Sequence, residues 1–117
     1  MLAYEIIVTG VNAGPQRAKV WFQSSLNTFS RGGRDYPQIK VDGSLGPASY
    51  AAYDNLVRKR GKRRACELMV KSADAFQAMH YTKLCDGSAS LSSFCVGWYD
   101  TRIGNAPIDK CGTGALK

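Results

Sequence analysis

What is scarce in this 117-residue chain narrows its chemistry before any motif is read. It holds one histidine, His80, and two glutamates, Glu5 and Glu67. The four cysteines, Cys66, Cys85, Cys95 and Cys111, stand at wide and irregular spacings, with no Cys-x-x-Cys or Cys-x-x-His pair. Zinc sites draw on such closely spaced ligands, so no metal and no cofactor is expected. Cys85 and Cys95 bracket the loop-like segment "DGSASLSSF", which a disulfide would close in an oxidising compartment. The composition otherwise reads as a cytoplasmic protein, for which free thiols are the expectation. No apolar run approaches the roughly 20 residues of a membrane-spanning helix. The opening "MLAYEIIVTG" lacks the basic start and long apolar centre of a secretory signal. Internal repeats and low-complexity tracts are absent.

What is present describes one soluble globular domain with a modest core, at 44% hydrophobic and 21% charged residues. The formal net charge of +7 points to an anionic partner: nucleic acid, a cell wall or an acidic protein face.

Hydrophobic spacing predicts an all-α chain of four or five helices. Leu2, Ala3, Ile6, Ile7 and Val11 fit a short buried helix, although "EIIVT" alone also fits a strand. In "NAGPQRAKVWFQSSLNTF", Pro15 opens a helix that places Ala18, Trp21, Phe22, Ser25 and Leu26 on one face. "SRGGRDYPQIKV" reads as a loop with a short extended piece at Gln38 to Val41. In "VDGSLGPASYAAY", Asp42-Gly43 signals a turn and Gly46-Pro47 starts a helix whose Tyr50, Tyr53 and Leu56 share a face. That helix runs to about Arg60, Gly61 interrupts it, and a long basic-headed helix follows. Ala65, Leu68, Met69, Ser72, Ala75, Phe76 and Met79 form its expected inner side. "SFCVGWYDTRIG" predicts a last short helix. The domain is expected to span 1–103, with a loop-like tail over 104–117.

Taken in order, "VNAGPQRAKVWFQSSLN", "VDGSLGPASYAAY" and "FCVGWYDTRIGN" resemble the glycoside hydrolase family 108 muramidases, which include phage endolysins and secretion-associated lysozymes. The shared features are Asn12, Gly14, Trp21 and Gln23, then Asp42, Gly43, Gly46 and Pro47, and finally Phe94, Gly97, Trp98 and Arg102. The middle step is also found in helical peptidoglycan-binding modules. The match runs from about Ala3 to Asn105. It implies a lysozyme-like half or peptidoglycan-binding helical domain, with peptidoglycan as partner and the host bacterial cytoplasm as the site of synthesis. The periplasm or cell wall would be reached on release. The family's catalytic glutamate lies in a Glu-Gly-Gly-Tyr motif that this chain lacks. Glycoside hydrolysis needs a proton donor and usually a second carboxylate. Glu67 is better placed as an i,i+4 partner of Arg63 or Lys71, and Glu5 is the fallback candidate, with no second acid beside it. The expectation is therefore a truncated relative that binds rather than cuts.

Asn12 corresponds to a cleft amide able to bond a sugar N-acetyl group, and serves equally well as an N-cap. Tyr99 and Arg102 are further substrate-contact candidates. Trp98 reads as a core anchor beside a close-packed Gly97, or with Tyr99 as a stacking platform for a sugar ring. The densest charge is "RKRGKRR", comprising Arg58, Lys59, Arg60, Lys62, Arg63 and Arg64. Its last three residues open a helix, where the macrodipole disfavours cations, so an anionic partner or a solvated turn is implied. Sequence-specific nucleic-acid reading is not expected, because no recognition motif accompanies the run. A second class of function is a binder or inhibitor redeployed inside the host. Its target would be an acidic macromolecular partner, protein or nucleoprotein, such as a nuclease or a CRISPR-type defence complex.

Overall fold

The computed structural model describes residues 15–87, 90, 93–102 and 111. Among these, four α-helices and no strand are found: α1 Pro15–Phe29, α2 Pro47–Arg60, α3 Lys62–Gly87 and α4 Cys95–Arg102. The all-α expectation holds. The helix expected over Leu2 to Val11, with Glu5, lies outside the described residues, as does Asn12. So does the tail from Gly104, apart from Cys111.

The long α3 is the axis, with α1, α2 and α4 all packed against it. The spacing in α1 produces the face it predicts: Ala18, Trp21, Phe22, Ser25 and Leu26 are all buried. Trp21 stacks on Phe76 of α3 at 5.9 Å between ring centroids, and Phe22 meets Tyr53 of α2 at the same distance. With the fully buried Leu26, Leu56 and Met69, these form the core, Phe76 at its edge. Each such side chain contributes about 1.5–3 kcal/mol of transfer free energy.

Three expectations need correction. The buried face of α3 is Ala65, Cys66, Met69, Val70, Ala73, Gln77 and Tyr81, whereas Met79 is 55% exposed and Ala75 is also exposed. The apolar residues of this helix cover more of its circumference than one neighbour can bury, and contacts with α1 and α2 select the face. Tyr50 is 48% exposed although Tyr53 and Leu56 are buried, because α2 buries a narrow stripe on Ser49, Ala52, Tyr53 and Leu56. A methyl group on Gly97 would meet nothing within 4 Å among the described residues, so none of these shows the close packing expected there. Trp98 is half-buried between Tyr81, at 5.0 Å, and Phe94, at 5.9 Å.

The segment between α1 and α2 has no ladder to satisfy its backbone, so α1 supplies polar side chains instead. Asn27 Nδ2 donates to Ile39 O at 2.8 Å, and Ile39 N–H donates back to Asn27 Oδ1 at 2.8 Å. The Tyr36 hydroxyl donates to Leu26 O at 2.6 Å. Gln23, only 1% exposed, uses its whole amide. Its Oε1 accepts from Asp42 N at 3.0 Å and Gly43 N at 2.8 Å. Its Nε2 faces Asp42 Oδ1 at 3.1 Å, Ser44 O at 2.9 Å and Ser49 Oγ at 3.2 Å. Asp42 Oδ1 also accepts from Ser44 N at 2.9 Å, closing an Asx turn. These bonds, Ser44 N–H first and Gln23 second, hold the Asp42 carboxyl below its ordinary value of 3.8. The stabilisation they give is present above that pH and lost as pH falls through the lower folded value. Gly43 has φ +74° and lies against α1, where an added Cβ would overlap the Gln16 amide.

Gly61, at φ +90°, donates its N–H to Val57 O at 2.7 Å and accepts from Ala65 N at 2.9 Å, so one residue ends α2 and starts α3. Two disulfides complete the fold and overturn the expectation of free thiols. Cys66–Cys111, with Cα atoms 5.6 Å apart, ties residue 111 to the core, and both cysteines are fully buried. Cys85–Cys95, at 6.2 Å, joins the end of α3 to the start of α4. Wide sequence spacing concealed the first pair, since separation along the chain carries no information on proximity in space.

Gln23→Leu is expected to destabilise the protein by at least about 2 kcal/mol, because it strands the Asp42 and Gly43 N–H groups. Gly43→Val should cost more than about 1 kcal/mol through its positive φ, the Gln16 amide being free to swing aside, while Pro47→Ala costs little. Urea unfolding of the three variants checks the order. Reduction should lower stability further. Loops of 45 and 10 residues correspond to about 4 and about 3 kcal/mol in the chain-entropy account. Melting with and without reductant, and of the paired Cys66→Ser/Cys111→Ser and Cys85→Ser/Cys95→Ser variants, should rank the longer loop first.

Candidate functional site

Helices α1 and α3 run antiparallel: Trp21 meets Phe76 and His80, Ser25 Oγ lies 2.6 Å from Ser72 Oγ, and Thr28 and Phe29 come beside Arg64 and Leu68. Along one side of the pair, Arg17, Trp21, Ser24 and Thr28 follow one another at helical spacing. Opposite them lie Lys83, His80, Phe76, Leu68 and Arg64. These rows border two separate hollows, which share no lining residue, spread over about 16 Å from Arg17 to Thr28 at 1.5 Å per residue; together they mark the groove side of the α1–α3 pair.

The first hollow, about 300 Å³, has an aromatic floor and a cation at either side. Phe76 is half-buried and lies flat on Trp21, with an interplanar angle of 8°. Met79 projects beside it, and Arg17 and Lys83 flank the opening. His80 packs edge-on to Trp21 at 5.9 Å. Burial first, then the charges of Arg17 and Lys83, lower its pKa from 6.5, so the imidazole is neutral at pH 7 and donates or accepts as its tautomer dictates. The second hollow, about 260 Å³, lies at the far end and is walled by Arg31, Arg60 and Arg64 over Phe29 and Leu68. A third, of about 410 Å³, separates residues 37–40 from Ala48, Ala51, Ala52 and Asn55 of α2. No carboxylate lines any of these three hollows.

The basic run is split by Gly61. Arg58, Lys59 and Arg60 occupy the last turn of α2, where the macrodipole favours cations, and Lys62, Arg63 and Arg64 open α3, where it does not. Asp35 answers part of this charge. Its carboxylate, 5% exposed, pairs with Arg31 at 3.8 Å, Lys59 at 3.8 Å and Arg60 at 3.5 Å. Glu67 pairs with Arg63 at 3.8 Å, the i,i+4 bridge that the sequence indicates. Tyr99 is 42% exposed, but its hydroxyl is bonded to the Thr82 hydroxyl and lies 3.3 Å from Ala78 O. It is therefore pinned to α3 by its polar end. The side chain of Arg102 lies outside the described residues, as does Asn12, so the three substrate-contact candidates are not brought together among those described.

Sequence reasoning missed Arg17, Phe76, His80 and Lys83 as a group, as it did Arg31 and Asp35. Trp21 and Phe76 at helical spacing read as core, which they largely are. Only the antiparallel pairing shows that their exposed edges share a groove.

As the chain has one histidine, its titration is readable directly. The His80 ring signals should titrate with a midpoint below 6.5, and Arg17→Gln or Lys83→Gln should raise it. Proton NMR across pH 4–8 provides the measurement.

No curated protein and no solved structure matches the chain. One family does, and its match covers α1 to α4, including both hollows of the groove and the glutamine-clamped corner. Residues 17–103 match the family described as a predicted peptidoglycan domain, and the chain belongs to that family.

Proposed function

We propose that this peptidoglycan-binding domain grips the wall polymer through the aromatic end of the α1–α3 groove and does not cleave it. One observation carries the reading: a ring held flat by a second ring, with a thioether beside it and cations at both sides, in an open hollow. Peptidoglycan alternates N-acetyl sugars, whose C–H faces are apolar, with peptides bearing carboxylates. A sugar face can lie on Phe76, an acetyl methyl against Met79, and an amide can bond His80. Arg17 and Lys83 then face the anionic groups. Sites of this kind bind by an apolar floor and orient by a few polar groups.

Binding without cleavage is supported by the absence of a carboxylate from the three hollows and by the ion pairing of Glu67. Protonation of a glycosidic oxygen requires such a group within reach. A relationship to the family 108 muramidases is part of the same proposal, as is a working location in the periplasm or wall. The two disulfides support that location, because such bonds persist where the surroundings are oxidising. No described helix is long and apolar enough to cross a membrane.

Sedimentation with purified sacculi tests the contact. Phe76→Leu with Met79→Ser keeps bulk at position 76 but removes the ring face and the exposed thioether. It should weaken binding by tenfold or more, which is about 1.4 kcal/mol. Parent and variant should leave sacculus turbidity unchanged. Retention of the variant at parental affinity removes this groove from the site, and turbidity loss abolished by Glu5→Gln would make Glu5 a catalyst.

A further inference from the structure

The arginine hollow at the other end of the groove has no part in the glycan contact just described, yet it is built for an anion. Three arginines, Arg31, Arg60 and Arg64, line it together with the apolar side chains of Phe29 and Leu68, and the first two also meet at Asp35. Like charges repel, so their convergence needs compensation. Asp35 provides one negative charge, shared with Lys59 as well, which leaves the three arginines under-compensated. Asp35 itself is nearly buried, and it holds Arg31 and Arg60 from one side at 3.8 and 3.5 Å. Arg64 comes from the first turn of α3, a position at which the helix field is unfavourable to a cation.

Backbone conformation at Arg31 points the same way. Its φ is +57°, alone among the described non-glycine residues in being positive, and Gly32 and Gly33 follow with φ +72° and +88°. A glycine at position 31 would adopt that geometry without strain. The arginine is kept there in a turn fastened by Asp35 N–H to Ser30 O at 3.0 Å and Gly33 N–H to Ser30 Oγ at 3.1 Å. Strain of this sort concentrates where a side chain has a task.

We infer that the Arg31–Arg60–Arg64 hollow binds the carboxylate groups of the peptide carried by peptidoglycan, while the glycan occupies the aromatic hollow. Guanidinium forks match carboxylates in a two-point geometry, and the apolar floor lowers the local dielectric so that each contact is stronger than on an open surface. The two hollows lie along the same α1–α3 pair, the second completed by Arg60 of α2 and by Arg31, so a single polymer that carries sugars and carboxylated peptides can reach both. This inference rests on the peptidoglycan reading above and adds to it a direction of binding and a second recognised group.

The test is calorimetry with the full chain and three soluble probes: a disaccharide–peptide fragment of peptidoglycan, the same fragment with its carboxylates amidated, and a glycerol-phosphate polymer. Amidation should weaken binding by tenfold or more. Arg60→Gln/Arg64→Gln should weaken binding of the native fragment by a similar factor, with little further loss for the amidated one. Arg31→Gly, which suits the backbone, should also lose affinity for the native fragment. Salt should weaken the native fragment more than the amidated one. Equal affinity for the two fragments overturns the inference, as does an arginine variant that binds the native fragment like the parent. Capture of the phosphate polymer through these arginines, with fragment binding unaffected by their loss, overturns it in favour of a phosphate ligand. Failure of the parent to bind sacculi or any fragment is a different result and removes the peptidoglycan reading itself.

Discussion

The amide of Gln23 is the interaction on which the rest of this structure depends. It lies on the third turn of α1, fully buried, and meets five groups of the corner between Asp42 and Ser49. A hydrocarbon at that position would fill the space equally well but leave the Asp42 and Gly43 N–H groups without partners and remove one of the two bonds to the Asp42 carboxylate. The cost of stranding such groups exceeds the gain from one more apolar side chain. The clamp sets where α2 begins and so how it lies against α1. Through Gly61 it also sets where α3 begins, three residues before Ala65 enters the core.

Helix α1 therefore has two tasks on different sides. Gln16, Gln23 and Asn27 hold the connecting segment, while Trp21, Ser25 and Leu26 join the core. A third side, Arg17, Ser24 and Thr28, is left to border the groove against α3. The groove is thus a by-product of satisfying the corner and the core first. Its floor is rigid because Trp21 is fixed by packing, and Ser25 bonds Ser72 where the helices approach closely. A rigid floor favours binding, since little side-chain freedom is lost when a ligand settles. The cations at both ends are less constrained, apart from those tied to Asp35.

Much of this was legible from the chain. Pro15 and Pro47 mark the helix starts, Gly61 the break, and Asp42-Gly43 the turn, because each acts through its own backbone and needs no partner to be recognised. The i,i+4 pairing of Glu67 with Arg63 is local in the same sense. The inner side of α3 was not legible beyond Ala65 and Met69. Apolar residues spread around that helix, and only its contacts with α1 and α2 decide that Val70 and Ala73 are buried and Met79 is not. Nor was the role of Asp35, which lies 24 and 25 residues before Lys59 and Arg60 and meets them only once the corner is closed.

The all-α class, the order of the helices, the Asp42-Gly43 turn and the excess of positive charge were determined by the sequence itself, through backbone preference, periodicity and composition. Tertiary structure alone decided which cysteines pair, which aromatic edges share a groove and which arginines converge on one hollow. The physical reason is the same in each case. Helical spacing constrains neighbours three or four residues apart, whereas these features join residues brought together by antiparallel packing and by a loop whose path depends on a single buried amide.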